Sequence, residues 1–253
     1  MAASAGFIKA LQETLSLELQ PRQIEAFDWY ASELVQWNRK FNLTAITDRP
    51  EIEIKHFLDS LTCLRAMRLS PEDQVVDVGT GAGFPGIPIK ILFPAISLTL
   101  VESIGKKVDF CRHVVDSLNM DGVEIVHARV EQVGQDPTHR QRYNWALARA
   151  VASMAILVEY VLPLLCLGGK AVLQKGETGP AEVQAAEGAM RILGGHIYQV
   201  LPVVLPTVVE KRYLVVINKV AATPEKYPRR SGIPAKRPLT KIFHPPLGGR
   251  QGS

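Results

Sequence analysis

The chain has 253 residues, 47% of them apolar, with a formal net charge of +4. That size allows one generous domain with an extension, or two small ones. No apolar run approaches 18 uninterrupted residues, which argues against a membrane span. No basic segment followed by an apolar core and a cleavage site opens the sequence, which leaves secretion unsupported.

Cys63, Cys111 and Cys166 are scattered, form no metal-ligand spacing and fit a reducing cytoplasm. The charge is one-sided: residues 211–253 carry ten Lys or Arg against one acid, Glu225. This basic end is the candidate footprint for nucleic acid.

In chain order, residues 4–18 predict a short helix, and Pro21 opens a longer one over 22–39. Ile24, Phe27, Trp29, Tyr30, Leu34, Val35 and Trp37 give it a broad apolar face, read as core. Asp48 is placed to cap a third helix running to about Met67. That helix brings His56 within reach of Asp59 and Ser60; a polar network is expected there in preference to a hydrolytic triad, for which no strained nucleophile turn is present.

Strand and helix then alternate. Strands are expected to end near Gly79 and Glu102 and to run over 123–128, 143–148, 170–175, 196–205 and 212–219. Helices are expected over 106–120, 152–166 and 180–193, the second holding Cys166 as a core residue. The two late strands with their short link suggest an antiparallel hairpin at the sheet edge. The organisation expected is a helical extension (1–70), an α/β domain (71–220) and a basic, Pro-rich tail (221–253) whose end is unstructured. Prolines 228, 234 and 238 are read as excluding regular helix and sheet from that tail.

The stretch carrying most chemistry is Asp77-Val-Gly-Thr-Gly-Ala-Gly-Phe-Pro-Gly86. It turns from an apolar strand through glycines into a helix start, where close backbone approach and unpaired N–H groups make a ligand cradle. Gly81, Gly83 and Gly86 match the dinucleotide spacing, but Asp77 on the strand end would repel pyrophosphate and suits an ammonium group or its water shell. A Walker loop is excluded, since no Gly-Lys-Ser/Thr follows. S-adenosylmethionine, with its ammonium and sulfonium, fits better than NAD or a flavin. Glu102 ends the second strand where nucleotide folds hold ribose hydroxyls, and it could also cap the following helix. The loop after the third strand offers Val130 and Glu131 to an adenine.

Absent motifs narrow the acceptor. No Asn/Asp-Pro-Pro-Tyr/Phe follows the fourth strand, which weighs against an exocyclic amine, and no Pro-Cys or Thr-Cys follows the fourth or fifth strand to serve a pyrimidine-C5 transfer. An acceptor with its own lone pair remains, such as guanine N7, and Arg149 could contact its O6 or steady the donor's carboxylate. An oxidoreductase and a non-catalytic RNA binder stay open as alternatives.

The chain resembles the bacterial 16S ribosomal RNA (guanine-N7) methyltransferases, the glucose-inhibited division protein B type, over roughly residues 20–240. The marks are Asn42-Leu43-Thr44, His56-Phe-Leu-Asp59-Ser60, the glycine stretch with its Phe84-Pro85-Gly86 ending, Ala148-Arg149-Ala150, Lys175-Gly176 and Tyr227-Pro-Arg-Arg230. Ala148 stands where the family often has Ser or Thr.

The resemblance implies a class I S-adenosylmethionine-dependent methyltransferase fold: a seven-stranded, mostly parallel sheet with an antiparallel last strand and an N-terminal helical extension. It implies cofactor contacts at Gly79, Phe84, Glu102, Val130, Glu131 and Arg149, to which the bend and the second strand end add Asp77, Gly81, Ser103 and Ile104. Arg149, His56 and Asp59 become the catalytic candidates. Asn42, Lys175, Arg212, Arg229, Arg230 and Lys236 become RNA contacts. The expected partner is 16S rRNA in a small-subunit particle, met by a cytoplasmic monomer without a metal.

Overall fold

A computed structural model describes residues 4–239. Helix α1 (Ala5–Leu15) starts at Ser4, whose hydroxyl accepts the Phe7 N–H. Helix α2 (Pro21–Phe41) begins on a proline and ends at Asn42 in the left-handed conformation. Phe27, Tyr30, Ala31 and Leu34 fall at three- and four-residue spacing and are buried. With Phe7 and Phe57 they pack against Ile87, Leu100 and Phe110, so the helical extension and one sheet face share a core. Each such buried large side chain stabilises by about 1.5–3 kcal/mol.

The third helical stretch is not uniform. Asp48 caps α3 (Arg49–Ile52) as its sequence predicts. A π-helical turn, Glu53–Leu58, then separates it from α4 (Asp59–Leu61), and a 3-10 turn, Thr62–Arg65, ends the stretch. Apolar periodicity reports a helix and does not register the widened turn, which is where His56 sits.

The sheet has seven strands: β1 (Gln74–Val78), β2 (Ser97–Glu102), β3 (Val123–His127), β4 (Tyr143–Arg149), β5 (Leu165–Lys175), β6 (Gly195–Val203) and β7 (Arg212–Lys219). Their order is β3-β2-β1-β4-β5-β7-β6. The first five are mutually parallel, and β7 is antiparallel to both β5 and β6. The late hairpin therefore exists, with β7 inserted inside β6. The intervening helices are α5 (Gly86–Leu92), α6 (Gly105–Ser117), α7 (Val130–Val133), α8 (Met154–Val161) and α9 (Gly179–Ile192).

Two expectations need correcting. The helix over 152–166 stops at Val161, because Pro163 cannot continue it. Cys166 consequently lies in β5, half-buried, and not in a core helix.

The basic tail is also corrected. Within it α10 (Ile233–Lys236) forms around Pro234, tolerated in a first turn. The described part is docked on the body: Arg140 donates to the Tyr227 and Thr223 carbonyls (2.7 and 2.9 Å), and Gln135 donates to Pro228 O (2.6 Å). Arg229 forms a bidentate pair with the fully buried Glu159, at 2.8 and 2.6 Å. Its Nε and Nη2 lock the tail to the body. Arg230 and Lys236 are exposed, as RNA contacts require. Residues 245–253, expected to be unstructured, lie outside the described residues.

Candidate methyl-donor and acceptor site

Strand order reverses direction between β1 and β4, and the carboxyl ends of those strands are where a parallel α/β sheet opens a crevice. Gly79 to Gly86 follow β1 there, and Arg149 ends β4.

The bend is held from inside. Asp77 is fully buried; its Oδ2 accepts the Thr80 hydroxyl (2.6 Å) and the Gly86 N–H (2.8 Å). A Cβ on Gly86 would lie 2.9 Å from that oxygen, so only glycine lets the acid reach the helix start. Burial pushes the Asp77 carboxyl up to about 6, against the lowering by those two hydrogen bonds. The acid expected to face an ammonium group thus ties the loop instead, although its Oδ1 has no partner among the described residues.

Tyr30, read only as core, donates its hydroxyl to Ala82 O within the bend, and its ring stacks on Phe84 at 5.4 Å. Helical spacing announces a buried ring but is silent on where a buried hydroxyl points.

The outer face of the bend fits the donor. Gly79, Gly81 and Gly83 all have positive φ, and a Cβ on Gly81 would meet nothing within 4 Å. Glu102 Oε2 accepts the Gly81 N–H (3.0 Å) and keeps a lone pair for a hydroxyl. Its Oε1 accepts the Ser103 and Ile104 N–H groups ahead of α6, so the capping role is present too. Ile104 is 43% exposed beside this carboxylate, and Val130 is half-buried at the start of α7, so both can flank an adenine. The Glu131 carboxylate is buried and accepts the Gly232 N–H (2.8 Å), bonding the tail.

The acceptor side is built on the π turn. Arg149 Nη1 donates to Asp59 Oδ2 (3.0 Å) and to the Lys55 and His56 carbonyls (3.2 and 3.4 Å). Its guanidinium lies 4.9 Å from the Phe84 ring centroid. Nη2 faces His56 Nδ1 at 3.2 Å. Arginine only donates, so Nδ1 accepts and the proton sits on Nε2, which Thr44 Oγ1 meets at 2.8 Å. Thr44 was known in the sequence only as part of a motif. Ser60 donates to the His56 carbonyl, so no serine–imidazole pair forms.

Burial, and then the charge of Arg149, lower the His56 imidazolium to about 3. The unfolded chain binds this proton below about pH 6.5 and the folded chain does not, so folding stability is lost as the pH falls from 6.5 towards 3. The stability of wild type minus that of His56→Gln is expected to drop by about 1.4 kcal/mol per pH unit across that window, read by urea denaturation. The opposite contribution of Asp77 is common to both proteins and cancels.

A cavity of about 210 Å³ adjoins Arg149, lined among others by Asp59, Thr62, Gln174, Lys175 and Arg212. Arg212 sits 3.6 Å from Asp59 Oδ1. Lys175 is committed elsewhere: it pairs with Glu182 (2.7 Å) and donates to Ala152 O (2.9 Å). Glu182 also accepts the Met154 N–H (2.8 Å) and so fixes the loop after β4. That loop carries Val151, whose methyl would stand 2.8 Å from a Cβ on Gly79. The variants Lys175→Met and Glu182→Ala are expected to be non-additive by about 0.5–3 kcal/mol in a double-mutant denaturation cycle. Additivity would return Lys175 to the RNA contacts. Asn42 is exposed at the end of α2, on the loop leading to Thr44.

The sequence profile of the family described as rRNA small subunit methyltransferase G matches residues 23–208. The chain belongs to that family. The Ribosomal RNA small subunit methyltransferase G of Roseiflexus castenholzii is 52% identical over 223 residues, covering 88% of this chain and 94% of that one. The protein of the same name from Pelotomaculum thermopropionicum is 45% identical over 239 residues, covering 94% and 100%.

Among solved structures, TrmN from Thermus thermophilus superposes with a TM-score of 0.51 at 17% identity, over 64% of this chain and 48% of that one. TYW2 from P. horikoshii gives 0.51 at 15%, over 65% and 63%. These likenesses show the fold: a class I methyltransferase sheet. As a member of this family the chain is an enzyme, an rRNA methyltransferase, and its cofactor is S-adenosylmethionine. No helix of the described residues is long and apolar enough to cross a membrane.

Proposed function

We propose that the chain methylates N7 of a guanine in the decoding-region loop of 16S rRNA, within a small-subunit particle. The observation carrying this reading is that each candidate base at the acceptor side is already engaged. Asp59 faces Arg149 and Arg212, and His56 Nδ1 accepts from Arg149. A site without a free base suits an acceptor that needs no deprotonation. Covalent activation of a pyrimidine is disfavoured too: Cys63 and Cys111 are buried, with thiols pushed up by burial, and Cys166 stands near the amino end of β5, away from the crevice.

Bound S-adenosylmethionine supplies a sulfonium-borne methyl that a neutral lone pair can displace. The chain's own work is then alignment and electrostatics. Arg149 Nε–H and one Nη2–H have no acceptor among the described residues and are available to guanine O6 or to the donor's carboxylate. His56 and Asp59 hold that guanidinium in place. Arg212, Arg230 and Lys236 are cations that can meet phosphates on this side of the molecule. We infer a cytoplasmic enzyme acting as a monomer on one ribosomal particle; the free cysteines Cys63, Cys111 and Cys166 fit a reducing compartment.

The test is nucleoside mass spectrometry of 16S rRNA after incubating small subunits with the enzyme and isotopically labelled donor. Label in 7-methylguanosine is expected; label in a different nucleoside would refute the assignment.

A further inference from the structure

Aromatic rings step outward from the bend along α2. Phe110 lies 6.1 Å from Tyr30 and 5.4 Å from Trp37, and Trp37 lies 5.5 Å from Phe41, centroid to centroid. Trp37 is half-buried and stacks on His113 at 5.0 Å. Phe41, the outermost ring, is 39% exposed. Gln36, Trp37, Arg39, Lys40 and Phe41 line a cavity of about 370 Å³. Its lining holds two cations and no acid. Arg39 and Lys40 are exposed and have no ion-pair or hydrogen-bond partner among the described residues. Past Phe41 the backbone turns at Asn42 (φ +47°) into the loop whose Thr44 meets His56. The chain itself therefore links the rim of the groove to the acceptor side of the site.

We propose that this groove binds one unpaired nucleotide of the substrate RNA flanking the target, its base stacked on Phe41 and its backbone phosphates on Arg39 and Lys40. The inference rests on the RNA-methyltransferase reading and adds a second contact region to it. An aromatic face takes a base only when the base is free of a helix, so the ligand is single-stranded. The two unpartnered cations supply the charge complementarity.

The experiment is fluorescence anisotropy over a salt series, with a single-stranded RNA oligonucleotide and with the small ribosomal subunit. Phe41→Leu, which keeps an apolar side chain but removes the ring, is expected to raise Kd about five- to tenfold. Phe41→Tyr is expected to restore binding. The pair Arg39→Gln, Lys40→Gln is expected to flatten the slope of log K against log salt by about 1.4.

Donor affinity and melting temperature should be unchanged in all three, which separates a lost contact from a lost fold. Unchanged Kd in Phe41→Leu would overturn the proposal, as would an unchanged slope in the double variant. A shift in sedimentation with RNA binding intact would assign the groove to a second copy of the chain and overturn it equally. Wild type binding neither RNA would sink the underlying enzyme reading instead.

Discussion

Replacing Arg149 by Met is expected to abolish methyl transfer and to cost up to about 3–5 kcal/mol of folding stability, because it leaves the buried Asp59 with only the more distant Arg212. Asp59 is only 3% exposed in its side chain, and Arg149 is its nearer cation, at 3.0 Å against 3.6 Å for Arg212. Removing the guanidinium also frees His56 Nδ1, leaves the Lys55 and His56 carbonyls of the π turn without their donor, and lifts the cation from Phe84. Denaturant unfolding reads the stability loss, and label transfer to small subunits reads the activity. Arg149→Lys restores charge but not the planar fork that reaches Asp59 and His56 together, so it should recover stability better than activity. Wild-type transfer by Arg149→Met would remove this residue from the mechanism.

Gly83→Ala is expected to be the most damaging change within the bend. Gly83 has φ +96°, where an L side chain is strained by about 1–3 kcal/mol. The added Cβ would also lie 2.4 Å from Ile87 Cδ1 and 2.6 Å from the Tyr30 hydroxyl. Tyr30 is wedged between Phe57 and Phe84 and cannot swing aside. Overpacking of this kind adds about 1–3 kcal/mol, and it pushes on the ring that donates to Ala82 O. A melting temperature close to wild type would show that α2 does not brace the bend.

Much of the fold was legible because its signals are local. The apolar runs ending in Asp77-Val78 and Glu102, and the run over 212–219, each fill a strand buried on both faces, so their ends coincide with the observed ones to within a residue or so. The glycine stretch was legible because positive φ at 79, 81 and 83 demands that residue. What escaped were choices made by tertiary partners. Nothing local reports that Asp77 turns inward to Gly86, that Glu131 and Glu159 receive the tail, or that Lys175 pairs with Glu182. Each is a charged or acidic residue on a plausible ligand-facing element, and a sequence leaves open whether its partner is a substrate or another segment of the chain. The apolar periodicity continues past Pro163 although the helix cannot, and this is why Cys166 reads as helical in the sequence and lies in β5 in the fold.

Titration of S-adenosylmethionine into wild type and Gly81→Ala, by calorimetry, tests the donor cradle most directly. Gly81 faces open space, so its methyl would enter the volume assigned to the donor while costing the fold only about 1–2 kcal/mol of left-handed strain. Micromolar-scale binding, about −8 kcal/mol, is expected for wild type and its loss for a still-folded Gly81→Ala. Equal affinity in the two proteins, or wild type that binds NADH in place of the methyl donor, would contradict it.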